Sequence, residues 1–344
     1  MTATKGRNAL KTLPGLVISA FFLWYTFKGI SFAEIRSLRL GAPLWILGVL
    51  GFTAASYTLR CVRWTRMMRP TGARFGACAR VLMTSLAANN ILPLRIGDIM
   101  RVFTYAGDLG TAPSVILSTV ILEKLLDIFI LVIMFVATMG SLATDRYRTI
   151  AYASLAISSV GLLVLLFGAR LLLPRLTAIF RRFPGNTKVA KLEHWVALAF
   201  DATARIGVAG SVVLLVQSAV VWTCEGLIYA SALKLFGIPT DRIGPWLAVS
   251  FANLSYLVPS SPGAIGPFEL AVKSSLVSHG AAQSQAALFG LALHAWLLLS
   301  ITGAGGLIFL IHRARIHNHT PLLDEIETLP EELPVELILY LLAD

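Results

Sequence analysis

Six charged residues lie within or beside apolar stretches of the chain, where a charge is hard to accommodate. They are Arg95, Asp98, Arg101, Glu123, Glu225 and Glu269. Burying a charge in hydrocarbon costs about 2.5–3.5 kcal/mol on insertion scales, so such residues tend to be retained for a function. We therefore predict that these six residues bind a polar or charged substrate.

Arg95 and Arg101 have the chemistry of a phosphate site. A guanidinium stays charged and can donate two parallel hydrogen bonds to phosphate oxygens, and free amides at a helix N-terminus add donors for an anion. The alternative is that the charges only pair with one another, and for Lys124 with Asp127 this structural interpretation is favoured. The cations available for pairing are Arg95, Arg101, Lys124 and Lys273, and the acids are Asp98, Glu123, Asp127, Glu225 and Glu269.

Two apolar regions, 77–106 and 243–280, must position most of these residues, and both are interrupted in the middle. Proline and glycine at the density found there end a helix. Each region therefore predicts two short helices separated by non-helical backbone. The residues predicted to shape the two breaks are Asn90, Pro93, Gly97, Pro262, Gly263 and Gly266.

The two broken regions share an order of residue types. Each has an asparagine, a proline, a glycine and an acid in that order, and the acids are Asp98 and Glu269. A polar group, Glu123 or His294, follows 25 residues after each acid. Inverted repeats with broken helices place a binding site near the middle of the membrane in many transporters. The match needs gaps, so a chance similarity is the alternative to an inverted repeat.

The composition predicts a membrane protein. The 344 residues are 56% hydrophobic and only 14% charged, whereas soluble domains carry about 25% charged residues. A spanning helix needs about 20 mostly apolar residues. We predict an all-α, polytopic membrane helical bundle with two broken or re-entrant helical regions. An inverted repeat would relate these two regions. The uninterrupted spans are expected near 13–30, 43–60, 113–139, 150–173, 208–236 and 285–312.

The distribution of basic residues predicts the orientation. The net charge of +11 is gathered in clusters at 60–80, 170–191 and 312–315, between apolar stretches. This pattern is typical of cytoplasmic loops near anionic lipid and argues against nucleic-acid binding. The N-terminus and the C-terminus are then cytoplasmic. The first broken region enters and leaves from the cytoplasm, and the second from the outside.

The remaining features indicate neither a metal site nor a cofactor. Cys61, Cys78 and Cys224 have no metal or disulfide spacing. His312, His317 and His319 resemble a metal cluster but lie in a solvated basic segment. We divide the chain into a transmembrane domain, 1–315, and a short acidic, amphipathic cytoplasmic tail, 316–344. The tail is too short to span and is expected on the membrane surface or against a partner.

Three motifs together resemble the flippase-like family that includes the membrane region of lysylphosphatidylglycerol synthases. The motifs are Asn90-Ile-Leu-Pro-Leu-Arg-Ile-Gly-Asp-Ile-Met-Arg101, Glu123-Lys-x-x-Asp127 and Pro259-x-x-Pro-Gly-x-x-Gly-x-x-Glu269, within residues 10–315. Asp98 stands where the family often has glutamate. The resemblance implies movement of lipids between leaflets, including aminoacylated phosphatidylglycerol, hopanoids or lipid-linked sugars. It does not imply synthase activity, since about thirty residues follow the last span.

These observations predict a non-enzymatic protein of the bacterial cytoplasmic membrane that translocates a phospholipid or another anionic or lipid-linked headgroup. Its expected partner is membrane lipid, with a partner enzyme at the membrane as a further possibility. The first alternative is a non-catalytic subunit or anchor for a glycosyltransferase or lipid-modifying enzyme. An ion-coupled carrier of a small solute comes next, and a membrane-embedded transferase last, because no nucleophile and base motif is evident.

Overall fold

The computed structural model describes residues 17–30, 40–92, 95–139, 187–258 and 260–317, with short stretches at 149, 152–153, 155–157, 159–161, 175 and 178. All regular structure in these residues is helical. Pro93, Pro259, most of the predicted span at 150–173 and the tail from 318 onward lie outside the described residues.

Nine helices with defined bounds organise the described part of the chain. Three helical segments are long and apolar enough to cross a membrane, namely Pro43–Thr71, which is α2 with its flanking 3₁₀ turns, Ile206–Leu235 and Gln283–Ala314. In chain order the helices are α1 Val17–Phe27, α2 Ile46–Met68, α3 Phe75–Ile91, α4 Ile96–Phe103, α5 Pro113–Met139, α6 Thr187–Leu235, α7 Gly244–Leu254, α8 Pro267–Val277 and α9 Gln283–His317.

α2 continues past the predicted end of its span. The sequence places that end at residue 60 and assigns Arg60 and Arg63 to a cytoplasmic loop, but the helix runs to Met68 and the Arg63 side chain is only 1% exposed. The assignment of these two arginines to a loop is therefore wrong. The physical reason is that acids on neighbouring helices neutralise both charges, so the helix can keep them inside.

Both predicted helix breaks are present. In the first, α3 ends at Ile91 and α4 begins at Ile96, and Arg95 between them is left-handed with φ 54°. In the second, α7 ends at Leu254 and α8 begins at Pro267. Short 3₁₀ turns at Ser255–Leu257 and Pro262–Ala264 fill the second break.

Each broken region is closed at its base by a polar pair. Arg80, near the start of α3, lies 2.7 Å from Asp108, in the loop after α4. Asp241, before α7, lies 2.7 Å from Nδ1 of His279, just after α8. The two ends of each broken region therefore lie side by side.

The helix packing is similar around the two broken regions. α3 packs against α4 and α9, while α7 packs against α8 and α5. α4 also contacts the helix that follows it, α5, just as α8 contacts α9. α2 and α6, which precede the two broken regions, pack against each other. One apolar core surrounds Trp64 between α2, α3, α4 and α5, and a second surrounds Phe268 between α6, α7, α8 and α9.

A glycine permits the tight fold at the first break. A Cβ added at Gly97 would collide with the carbonyl oxygen of Ser85 and lie 2.7 Å from Oδ1 of Asn89. The same Asn89 oxygen accepts a hydrogen bond from the backbone N–H of Asp98 at 3.1 Å. α4 therefore returns directly against the end of α3, with Asn89 joining the two helices.

Candidate functional site

The two helix breaks meet at a pair of adjoining cavities. One, of about 290 Å³, lies between α2, α3, α5, α6, α7 and α9. The other, of about 270 Å³, is lined by Val258 and by Ser260 to Ala264 of the second break. Both cavities are lined by Asn89, Asn90, Arg95 and Tyr256. The predicted non-helical segments thus lie around one space, which we call the break cavity.

The wall of the break cavity is polar on one side and apolar at its rim. Its apolar lining includes Ile128 and Leu257, whose side chains are 40% and 66% exposed on the surface of the chain. A cavity rimmed by exposed apolar side chains can admit a molecule from the surrounding apolar phase.

Arg95 is an exposed cation in the break cavity. Its guanidinium carbon lies 5.5 Å from the centre of the Tyr256 ring, a cation–π contact. Among the described residues, no carboxylate lies within ion-pair distance of it. The left-handed backbone of Arg95 projects this side chain from the turn between α3 and α4.

Arg63 is the centre of a buried ion-pair network that the sequence did not reveal. Its Nη1 and Nη2 donate to the two oxygens of Asp127 at 2.5 and 3.1 Å, and Nη1 also donates to the hydroxyl of Ser218 at 2.7 Å. Nε1 of Trp222 donates to the same Asp127 carboxylate at 3.1 Å. This bidentate pairing joins α2, α5 and α6.

Arg60 extends the network to the break cavity. Its Nη2 lies 3.0 Å from Oε1 of Glu225, which also accepts a hydrogen bond from the Ser56 hydroxyl at 2.8 Å. The guanidinium lies over the Trp222 ring at 5.0 Å. Arg60, Glu225 and Asp127 all line the cavity. Both signs of charge are therefore present on this wall.

Arg101 lies deeper than the sequence suggests. It is fully buried, donates to Oε2 of Glu123 at 3.0 Å and lies over the Trp64 ring at 4.8 Å. It does not line the break cavity. Glu123 is also 3.9 Å from Arg63, so it bridges the two arginines within the paired network.

Lys124 pairs with Asp98 at 3.3 Å rather than with Asp127, because Asp127 is held by Arg63. The expected structural pair of Lys124 and Asp127 is therefore wrong. Lys124 also lines the break cavity.

Glu269 lies behind the cavity wall. Its Oε2 accepts the backbone N–H of Gly266 at 2.6 Å, so it caps α8, and its Oε1 is 2.7 Å from Nδ1 of His294. Nε2 of the same histidine lies 3.5 Å from the Tyr256 hydroxyl. Glu269 and His294 are both 1% exposed. Glu269 and His294, which the sequence placed 25 residues apart without predicting a contact, are thus bonded to each other, and Tyr256 connects them to Arg95.

Among the cations around the cavity, Arg95 is the one without a carboxylate within ion-pair distance in the described residues. The cations are Arg60, Arg63, Arg95, Arg101 and Lys124, and the acids are Asp98, Glu123, Asp127, Glu225 and, behind the wall, Glu269. The other four cations have carboxylate partners, and Glu269 is held by His294 and the Gly266 backbone.

Sequence reasoning missed Arg60, Arg63, Trp222 and Tyr256. The two arginines were assigned to a loop, although their spacing of three residues would place them on one face of a continued helix. The aromatic residues carried no signal beyond their apolar surroundings. Where the chain is described, no group of three histidines, cysteines or acids comes together as a metal site, and Cys61 is buried with a free thiol.

Comparison with known proteins adds a family and a relative. The family described as lysylphosphatidylglycerol synthase TM region matches residues 13–333. The glycosyltransferase AglD of Haloferax volcanii is similar, with 22% identity over 330 residues, covering 85% of this chain and 53% of the relative. The chain therefore spans about half the length of that relative. No solved structure matches the chain.

Proposed function

Because the chain belongs to the family of the lysylphosphatidylglycerol synthase TM region, we propose that it moves a lipid with an anionic headgroup between membrane leaflets. The observation that carries this proposal is the break cavity, where Arg95 supplies a positive charge with no carboxylate partner in the described cluster. The membrane we propose is the bacterial cytoplasmic membrane, with both termini in the cytoplasm.

Arg95 would bind the headgroup phosphate. A headgroup that enters hydrocarbon loses its water, and an isolated charge there costs far more than a paired one. The guanidinium of Arg95 offsets that cost with a charge and two parallel donors. The exposed rim at Ile128 and Leu257 leaves the acyl chains in the apolar phase while the headgroup crosses.

The acids of the cavity wall would serve a positively charged part of the headgroup. Glu225 and Asp127 line the cavity, and each already has an arginine partner that a headgroup amine could partly replace. Glu269 lies behind Tyr256, so its proposed role is to exchange a proton through His294. Asp98, Arg101 and Glu123 would hold the cavity in shape by their pairing.

We also propose that the broken regions are re-entrant and related as an inverted repeat. The polar pairs Arg80–Asp108 and Asp241–His279 support re-entrance, because each joins the entry of a region to its exit. The exchanged packing of α3 on α9 and of α7 on α5 supports the repeat. Such an arrangement would place the break cavity near the middle of the bilayer.

A second candidate function is a non-catalytic membrane subunit that serves a partner glycosyltransferase. The relative named glycosyltransferase AglD is about twice as long as the matched region, which supports an association of this kind of membrane domain with glycosyl transfer. In that case the buried charges would be needed for folding and docking, and Arg95 would bind a lipid-linked substrate without moving it.

Lipid translocation in reconstituted vesicles tests the proposal. The purified chain should move a headgroup-labelled anionic phospholipid across the bilayer, measured by reduction of the label with an impermeant reagent. Arg95→Ala should abolish this movement while the protein stays folded, and Arg95→Lys should restore part of it, because ammonium lacks the two-pronged donor. Arg74→Ala is the matched control, since Arg74 is exposed outside the cavity. Wild-type movement in Arg95→Ala would exclude the proposed role.

A further inference from the structure

A second basic cavity lies between α1 and α8, apart from the break cavity. It has a volume of about 460 Å³ and shares no lining residue with the break cavity. We call it the lysine pocket. Its lining residues are Tyr25, Lys28, Leu270, Lys273, Ser274, Val277, Ser278 and Gln283.

The lysine pocket has cations without acids in its lining. Nζ of Lys273 donates to the backbone carbonyl of Thr26, close to the end of α1. Nζ of Lys28 lies 5.0 Å from the Trp24 ring. In the described residues, neither lysine has a carboxylate within ion-pair distance. The lining adds the hydroxyls of Tyr25 and Ser274, so the pocket presents donors and positive charge suited to a phosphate.

The position of the pocket along α8 fits the depth of lipid headgroups. α8 starts at Pro267, directly after the break that lines the break cavity, and has 11 residues. At 1.5 Å per residue, Lys273 lies about 9 Å and Ser278 about 16 Å along the axis from Pro267, and half of a hydrocarbon core is about 15 Å. If the break cavity lies near mid-membrane, the lysine pocket extends outward to the headgroup level, which the long Lys273 side chain can reach.

The neighbouring side chains suit the same depth. Trp24 and Tyr25 are 56% and 54% exposed on α1, and these two residue types are enriched where hydrocarbon meets the headgroups. A lysine beside them can keep its stem in the apolar region and its ammonium among the phosphates. These aromatic and apolar neighbours favour a phosphate that is attached to a lipid over a phosphate that is free in water.

We propose that the lysine pocket binds the phosphate of an anionic phospholipid at the membrane surface, as a loading or release site for the lipid that crosses at Arg95. Its place on a transport path rests on the proposed function. The binding itself does not, because it uses different residues on different helices.

Counting bound lipids by native mass spectrometry tests the inference. The full chain in neutral detergent is titrated with dihexanoyl phosphatidylglycerol, and we expect two bound molecules per chain. The double variant Lys28→Gln, Lys273→Gln should lose one of them, with affinity at that site falling about tenfold or more because two charge-assisted contacts are removed. The amide of glutamine at position 273 can still donate to the Thr26 carbonyl, so the contact between α1 and α8 is kept. Because Lys28 is exposed, the single variant Lys28→Glu should fold and should also weaken lipid binding at this site.

Lys234→Gln is the matched control. Lys234 also lies over a tryptophan, 4.1 Å from the Trp45 ring, but it does not line the pocket, so the variant should bind two lipids. Arg95→Ala should lose the other molecule and keep the one at the lysine pocket. If Arg95→Ala instead kept both lipids, the proposed headgroup site would fail while the lysine pocket stood.

Three results would overturn the inference. The double variant could bind both lipids with wild-type affinity, or dihexanoyl phosphatidylcholine could bind the pocket as tightly as the anionic lipid. Inorganic phosphate could also displace the lipid at equal concentration, which would make the pocket a site for a free anion.

Discussion

Arg63 and Arg95 have identical side chains, but their surroundings give them different roles. Arg63 is 1% exposed and binds both oxygens of Asp127, so its donors are used within the protein. Arg95 is exposed, contacts only an aromatic face in the described cluster and lines the break cavity. A guanidinium paired with a buried carboxylate stabilises the fold, whereas a guanidinium with no carboxylate at ion-pair distance can bind a ligand.

The first prediction follows from that contrast. Arg63→Ala should destabilise the protein by about 3–5 kcal/mol, because it leaves Asp127 buried without its bidentate partner, with only Arg60, 3.9 Å away, as a cation within ion-pair distance. Thermal unfolding in detergent should show a large fall in the melting temperature, together with a low yield of monodisperse protein. Arg95→Ala is the matched arginine substitution and should unfold close to the wild-type temperature. Equal melting temperatures for Arg63→Ala and the wild type would contradict a structural role for the network.

At the scale of helices, close packing of α3 on α9 holds the first broken region in place. A Cβ added at Gly305 would collide with the carbonyl oxygen of Met83 and lie 2.7 Å from the Cβ of Ala87. Gly303 and Gly306, in the same run, have no atom within 4 Å of an added Cβ. Of these three glycines, Gly305 is therefore the one that needs to be small.

The second prediction uses this difference. Gly305→Ala should destabilise the protein by about 1–3 kcal/mol, since the added methyl group forces α9 away from α3. Gly306→Ala should be neutral or slightly stabilising, because alanine is the better helix former. Thermal unfolding of the two variants side by side gives the comparison. The packing account would be wrong if both substitutions had the same effect.

The third prediction concerns the pair at the base of the second broken region. Burial alone would raise the pKa of the Asp241 carboxyl, but hydrogen bonds from His279 and from the N–H groups of Gly244 and Ile243 hold that pKa below its ordinary value. A lowered folded-state pKa means that the carboxylate stabilises the fold at neutral pH. That contribution is fully present above the ordinary aspartate pKa and is lost as the pH falls through the folded-state value.

Amide hydrogen exchange measures that effect locally. After correction for the intrinsic exchange rate, protection at residues 241–244 and 279–281 should fall as the pH drops below about 4. Asp241→Asn should remove this pH dependence, because the amide does not titrate. Amide protection around Arg80 and Asp108, the pair at the base of the first broken region, should not change with the Asp241→Asn substitution and serves as the comparison in the same experiment. An unchanged pH profile in Asp241→Asn would show that the carboxylate does not close the region.

At the scale of the whole molecule, sequence patterns predicted most of the described helices and where two of them break, but not the helical segment that begins at Thr187, before the span expected at 208–236. These features depend on local signals: apolar length, and the proline and glycine around Gly97 and Gly263. The partners of the buried charges could not be predicted in the same way. Glu123 and Asp127 share a helix face by spacing, but nothing local shows that Arg63, sixty residues away, lies between them. Pairing over such distances is decided by helix packing, which the sequence pattern does not specify.

The fourth prediction tests the proposed orientation of the chain and the proposed re-entrance of the two broken regions. A cysteine at Gly72, exposed before α3, should be protected from an impermeant thiol reagent in whole cells, whereas one at Arg242, exposed before α7, should react. The native Cys61, Cys78 and Cys224 are buried and should give a low background. Permeabilised cells provide the control for Gly72. Reaction of the Gly72 cysteine from outside intact cells would reverse the proposed orientation.

The central claim is that the break cavity takes a lipid headgroup from the bilayer, and photo-crosslinking at Asn90 tests it most directly. Asn90 lines both parts of the cavity, so a photoreactive amino acid there should capture a phospholipid in intact membranes, detected as a mass increase on the peptide. The adduct should be lost when Arg95→Ala is added, and a probe at Gly72 should give no adduct that depends on Arg95. An Asn90 probe that captures no lipid, or captures the same amount with and without Arg95, would contradict the account.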